Sequence, residues 1–375
     1  MSSPKRRSEI IPYEAPTEKS ENKPAENVAE RDSEFNERIA RFMSENEKAA
    51  AENEQKEQRM SRVLSKKDFE KWKSSKNSAW GKMITTIPFE SYREPAITIE
   101  SAKETFKGRI VGRESEKEEM MRKVASFINS GRFRRPLLLV GAPGEGKSCF
   151  AQCLAKSLGY PIHYINMPTI GSPIALVGSE QHYSNSRIGE ILQALIDEET
   201  LSVVFVFDEI DKLNNHSDEG SVESVLLQLF DPLWNGMFTD RSACIPVDLS
   251  HCVFICTAND DTAMSYALLD RLDVIRFDSY SEEQALRIIN EMTIPSVISA
   301  SNMTKRIRFA DDVAPAIIAS VDNGSMRDYE KMVEKLVDNA LYVMLSEHRK
   351  TYTVKASDLD VIIPSDKRRA MGFGC

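Results

Sequence analysis

The chain has 375 residues, 41% of them hydrophobic, and a formal net charge of −9. That is length for two or three domains and apolar content for a real core, while the acidic balance argues against a general electrostatic grip on nucleic acid or anionic lipid. No run long and apolar enough to span a bilayer occurs, and residues 1–30 mix Lys and Arg with many Glu, so secretory and membrane-spanning readings are excluded, a mitochondrial transit peptide is disfavoured and a soluble cytoplasmic protein is expected.

Six cysteines are too few for a disulfide framework and fit free thiols in a reducing compartment. Cys149 with Cys153, and Cys252 with Cys256, are spaced like metal pairs. The first pair falls on a helical pattern and the second on an apolar strand, where packing is the better reading.

Residues 1–27 are rich in Pro, Lys, Glu and Ser and too poor in apolar groups to offset the entropy of folding, which predicts a disordered tail. Residues 28–79 form a charged helical segment, with one long helix expected over 28–74 and sparse apolar positions at Phe35, Ile39, Phe42 and Met43. A Pro-punctuated connector covers 80–108. The folded core is expected over 109–280 and opens with an amphipathic helix over 110–128.

The apolar run Leu137-Leu138-Leu139-Val140 then leads into Gly141-Ala142-Pro143-Gly144-Glu145-Gly146-Lys147-Ser148, a match to the phosphate-binding loop, followed by a helical pattern over 149–158. Backbone N–H groups must converge on phosphate oxygens there, and side chains at Gly141, Gly144 and Gly146 would block that approach. Lys147 can reach the β/γ-phosphates, and the Ser148 hydroxyl can ligate Mg²⁺. ATP and Mg²⁺ are therefore the expected cofactors, with Gly141, Pro143, Gly144, Glu145, Gly146, Lys147, Ser148 and Cys149 as nucleotide-binding residues.

After a short strand over 162–165 and a helix over 188–198, the apolar strand Val203-Val204-Phe205-Val206-Phe207 ends in Asp208-Glu209. That places two carboxylates at a strand's carboxyl end, where open α/β sheets bind ligands. Asp208 would hold Mg²⁺ and Glu209 would polarise the attacking water. Asn259, just past the strand 253–257, can hold that water near the γ-phosphate. Arg271, before a last strand over 274–277, is a candidate for stabilising the transition state. Residues 281–364 turn to helices with one extended piece at 352–354, giving a smaller helical domain, and 365–375 form a basic tail. Arg327 opens a helix whose dipole it opposes, so an anion such as phosphate is expected to hold it there.

Together, the loop 141–148, Phe207-Asp208-Glu209-Ile210-Asp211-Lys212-Leu213, Phe230-Asp231-Pro232, Pro246-Val247-Asp248-Leu249-Ser250, Phe254-Ile255-Cys256-Thr257-Ala258-Asn259 and Leu268-Leu269-Asp270-Arg271 resemble the AAA+ ATPases, and among them the ATPase module of Lon proteases. The resemblance spans residues 80–364. It implies an α/β fold: a P-loop NTPase domain with a parallel five-stranded sheet flanked by helices, followed by a small helical lid. It also implies that Asn259 is sensor 1, that Arg271 is an arginine finger acting on a neighbour's nucleotide, and that Arg327 in Gly324-Ser325-Met326-Arg327 is sensor 2. Tyr183 falls where the substrate-gripping aromatic of the first pore loop belongs, although Ser184 and Asn185 follow it in place of an aliphatic residue and a Gly.

The family further implies a homo-oligomeric ring, usually a hexamer, acting on protein substrates as an unfoldase or remodelling chaperone. The 48 residues after Arg327 leave no room for the Ser-Lys protease dyad, so no intrinsic peptidase is expected and a separate peptidase is a possible partner. The alternative is a nucleotide-gated assembly scaffold or regulatory ATPase that translocates nothing. A DNA-acting relative is disfavoured by the acidic balance and by the lack of a nucleic-acid module.

Overall fold

The computed structural model describes residues 26–95, 97–180, 186–213, 220–321 and 324–362. The expected amino-terminal tail up to residue 25, the Tyr183 loop tip and the carboxyl-terminal tail lie outside the described residues. The chain divides into two compact units, residues 1–62 and 63–375. The described part of the first is one helix, α1 (Glu26–Val63), dominated by Glu, Lys, Arg and Ala, residues with high helix propensity.

The single helix expected over 28–74 is broken. Ser65 accepts the Asp68 N–H and starts α2 (Lys66–Ser75), and Ser78 accepts the Gly81 N–H and starts α3 (Ala79–Thr86). Each serine satisfies an N–H that an uninterrupted helix would bond internally. Trp72, 2% exposed, fixes the corner: its indole N–H donates to Gly81 O at 3.1 Å and Thr85 Oγ1 at 3.2 Å. A Cβ on Gly81 would fall 2.3 Å from Ser75 O, so only glycine allows this approach. The expected connector likewise contains structure, α3 and then α4 (Ile99–Lys107), the latter started by a Thr98–Ser101 capping box. The amphipathic helix follows as α5 (Glu114–Ser130), stopped by left-handed Gly131.

The next elements are β1 (Leu137–Gly141), α6 (Lys147–Leu158), β2 (Ile162–Asn166), α7 (Pro173–Val177), α8 (Glu190–Asp197), β3 (Val204–Asp208) and α9 (Val222–Leu229). A short antiparallel hairpin of β4 (Phe238–Thr239) and β5 (Pro246–Val247) precedes β6 (Val253–Ala258), α10 (Tyr266–Leu269) and β7 (Asp273–Phe277). Five strands pair, all parallel, in the order β2-β3-β6-β1-β7. A parallel sheet is covered on both faces, which is why its strands read as unbroken apolar runs. One face packs Val204, Val206 and Ile255 with Phe106, Phe127 and Phe150. The other carries Phe205, Phe207 and Phe254, with Phe230 edge-on to Phe207 at 5.6 Å between ring centroids. The registers Leu139↔Thr257, Gly141↔Phe277 and Asn166↔Asp208 bring the strands' carboxyl ends to one edge.

The lid comprises α11 (Glu282–Ile288), α12 (Ile294–Ala300), β8 (Ile307–Phe309), α13 (Val313–Ser320), α14 (Met326–Ser346), β9 (Tyr352–Val354) and α15 (Leu359–Ile362). Val333, Leu336, Val337, Ala340 and Met344 make the helical stripe of α14 that fills its core. The extended piece at 352–354 pairs in parallel with β8, which three residues were too short to announce in sequence. No helix of the described residues is long and apolar enough to cross a membrane.

Candidate nucleotide site

The phosphate loop leaves β1 and enters α6 through Gly144 and Gly146, both left-handed at φ +88° and +87°. A Cβ on Gly144 would lie 3.2 Å from Ser325 Cβ and 3.3 Å from Arg327 N, so the loop runs close against the start of α14. No side chain caps α6 at Gly146, which leaves its first-turn N–H groups for an anion at the positive end of the helix. Lys147, 8% exposed, donates to Gly141 O, to Ala142 O at 3.0 Å and to Asn259 Oδ1 at 3.2 Å. Burial pushes its pKa down, the Asp208 carboxylate opposes that, and the Arg327 cation adds to it. Lys147 thus bonds Asn259 and feels the charges of Asp208 and Arg327.

Asp208 ends β3 and accepts the Thr257 hydroxyl at 2.5 Å, while the same hydroxyl accepts the Glu209 N–H at 3.1 Å. Glu209 is left-handed at φ +56°, uncommon for a residue with a Cβ. Its carboxylate pairs with Lys212 Nζ at 2.8 Å. Asp211 Oδ1 is buried without a hydrogen-bond donor, and its charge is felt at Lys147 together with that of Asp208. A buried carboxylate oxygen without a donor, its charge felt at the same lysine as that of Asp208, is the kind of ligand a hard cation such as Mg²⁺ takes.

Arg271 is turned elsewhere. It donates to Ala267 O at 3.0 Å and stands 4.0 Å from Asp231, neither of which belongs to the phosphate loop. Arg327 lies in the first turn of α14, where Ser325 and Asp328 cap the helix and an acidic residue offsets the cation. Between the loop and the lid lies a cleft of about 580 Å³ lined by Ala142, Pro143, Glu145, Tyr280, Met326 and Tyr329.

Tyr183 is outside the described residues, but the roots of its loop are fixed. Ser179 N–H donates to Arg187 O at 3.0 Å and Gly189 N–H to Asp240 Oδ2 at 2.7 Å. Asp240 is fully buried and also accepts the Ser242 and Ala243 N–H groups at 2.8 and 3.0 Å. Burial pushes its carboxyl up while these three bonds pull it down.

Cys149, on the first turn of α6, is held down at about 7 by hydrogen bonding with the Cys153 thiol, whose own pKa rises. Burial pushes Cys252 up to about 12. Among the described residues no group of three or more His, Cys, Asp or Glu is placed to hold a metal ion.

Three residues of this site were not singled out by sequence: Thr257, Asp211 and Arg113, the last packed on Glu145. Thr257 carried a signal, a hydroxyl near the end of an otherwise apolar strand. Asp211 carried only its place in an acidic run, and Arg113 none.

Residues 137–280 match the family described as "ATPase family associated with various cellular activities (AAA)". A mitochondrial Lon protease homolog of Yarrowia lipolytica is 27% identical over 291 residues, covering 76% of this chain and 25% of the relative. The Lon protease of Finegoldia magna is 29% identical over 285 residues, 75% of this chain and 37% of the relative. Lon protease 2 of Borreliella burgdorferi is 32% identical over 249 residues, 66% of this chain and 31% of the relative. The chain thus spans between a quarter and two fifths of the length of these relatives. With the parallel sheet and the phosphate loop at its carboxyl edge, these likenesses show an AAA domain over residues 137–280 that is similar to the AAA region of the Lon proteases.

Proposed function

We propose that the chain is an ATP-hydrolysing motor that unfolds or remodels proteins, working as a ring of copies in which each subunit completes its neighbour's site. The observation that carries this reading is a division of cations. Lys147 and Arg327 converge on the phosphate loop with Asp208 and Asn259, while Arg271 bonds only within the α9–α10 surface of its own chain. An Arg so placed would serve a neighbour's site rather than its own phosphate loop.

Mg²⁺, when bound, would supply positive charge against the γ-phosphoryl group. Ser148 and Asp208 would hold it. Lys147 would exchange the loop carbonyls for β/γ-phosphate oxygens, and the uncapped amides of α6 would fix the rest of the chain of phosphates. Asn259, released from Lys147, would orient the attacking water, and Glu209, released from Lys212, would accept its proton. Arg327 would report the γ-phosphate to the lid. Tyr183 would grip the protein substrate, and the described residues are assigned no part in peptide-bond cleavage.

The test is ATP turnover measured against protein concentration alongside molecular mass with nucleotide. Turnover per chain should rise with assembly, Glu209→Gln should bind ATP yet lose about 10²–10⁴ in rate, and Arg271→Ala should lose about 10³–10⁵. Full turnover in either variant, or full turnover by a monomer, would refute the mechanism.

A further inference from the structure

Arg113 stands where a cation is out of place. It is 4% exposed, left-handed at φ +61°, and precedes α5, whose dipole it opposes. Four neighbours account for it. Its guanidinium pairs with Glu116 at 2.9 Å and with Glu145 of the phosphate loop, donates to Asp278 O, and lies 3.8 Å from the ring centroid of Tyr280. Nη1 and Nη2 are both engaged and one face is stacked, an arrangement that Lys cannot reproduce, while Nε is buried without an acceptor.

These partners belong to different moving parts. Glu145 sits between Gly144 and Gly146 in the loop that closes on phosphate. Asp278 and Tyr280 lie in the short segment between β7 and α11, the hinge by which the lid leaves the sheet. The hinge also touches the loop directly: Tyr280 OH donates to Glu145 O at 3.4 Å, and a Cβ on Gly146 would lie 3.1 Å from that hydroxyl. Gly112, the residue before, faces Gln284 of α11 in the same way. Loop, hinge and lid helix therefore meet around one buried side chain.

We infer that Arg113 is a positioning residue that ties the phosphate loop to the lid hinge, so that nucleotide in the loop sets the angle of the lid. When Glu145 shifts as the loop wraps phosphate, its carboxylate drags the guanidinium, and the guanidinium carries the Asp278 carbonyl and the Tyr280 ring with it. A pair serving packing alone would need neither the carbonyl nor the ring. This role rests on nucleotide binding at the phosphate loop.

Removing Arg113 alone would strand a buried carboxylate and could unfold the chain. Burial already raises the Glu145 carboxyl, so a neutral group is tolerated there, and the pair Arg113→Met with Glu145→Gln keeps the volume without an unpaired charge. The experiment is hydrogen–deuterium exchange of the peptide covering 278–284, with and without a non-hydrolysable ATP analogue, beside a direct nucleotide-binding titration and a urea midpoint on the same samples. In the wild type, nucleotide should slow exchange there about tenfold, within the usual range of coupling between linked sites. At nucleotide concentrations that the titration shows to be saturating for it, the double variant should show less than about a twofold response. Arg113→Lys should recover the urea midpoint through Glu145 without recovering the hinge response. A folded double variant with the full wild-type response overturns the tether, as does a wild type that binds nucleotide without any response. A wild type that binds no nucleotide in the titration fails the nucleotide reading itself.

Discussion

Thr257 ties two strands together through Asp208 at the carboxyl edge of the sheet: a hydroxyl at the end of β6 donates to the carboxylate at the end of β3 while taking the N–H of Glu209. One side chain thus fixes the proposed metal ligand and the backbone of the proposed base. The strand pairing between Phe207 and Cys256 puts them in reach.

Replacing Thr257 by Val removes the hydroxyl at nearly constant volume and leaves the Glu209 N–H and an Asp208 oxygen without that partner. We expect kcat to fall about 10- to 100-fold, the range for partners that orient a metal ligand, while ATP binding changes little. Thr257→Ser should restore most of it. Steady-state ATPase rates beside a nucleotide titration check this, and a Val variant with wild-type kcat would remove Thr257 from the mechanism.

Cys149 offers a pH readout. The thiolate is the reactive form, and a thiol held near 7 is half ionised about two pH units below the ordinary 9.0. Alkylation of Cys149 by iodoacetamide, followed by mass spectrometry, should therefore rise with a midpoint near pH 7, with the rate falling as pH drops below it. Mg-ATP should slow it by covering the first turn of α6. A midpoint near 9 would show that the Cys153 hydrogen bond does not hold in solution.

Asp240 is a stability prediction. Asp240→Ala leaves the Gly189, Ser242 and Ala243 N–H groups buried without their acceptor, and at about 1–3 kcal/mol for each such group the loss should be roughly 3 kcal/mol or more. Urea unfolding measures it. Because the same carboxylate holds the roots of the Tyr183 loop, substrate processing should fall further than ATP turnover, and equal losses in both would count against a link to that loop.

Tyr183→Ala separates motor from scaffold. A translocating ring should keep ATP hydrolysis and lose the processing of an unfolded protein by at least about tenfold, as a transmission residue rather than a chemical one. Intact processing of a tagged unfolded substrate in this variant would favour the assembly scaffold.

The phosphate loop, the β3 carboxylates and the order of apolar strands were legible because each is a local pattern: glycines where the backbone must approach a ligand, acids where a strand ends, and unbroken apolar runs where a sheet is covered on both faces. What escaped was set by distance along the chain. Arg113 meets Glu145 across 32 positions, and Trp80 donates to Ala243 O across 163. No spacing announces such contacts. The helix over 28–74 failed for a different reason, since Ser65 acts through a cap that outweighs the helix propensity around it.

The strand order has one mechanical consequence. The polypeptide departs for the lid from β7, which is hydrogen-bonded to the strand feeding the phosphate loop. In the proposed motor, a displacement at the nucleotide would have only one interstrand spacing, about 4.8 Å, to cross before it reached the lid. So short a transmission line leaves little room for slack, and the stroke of such an engine would be decided at its root.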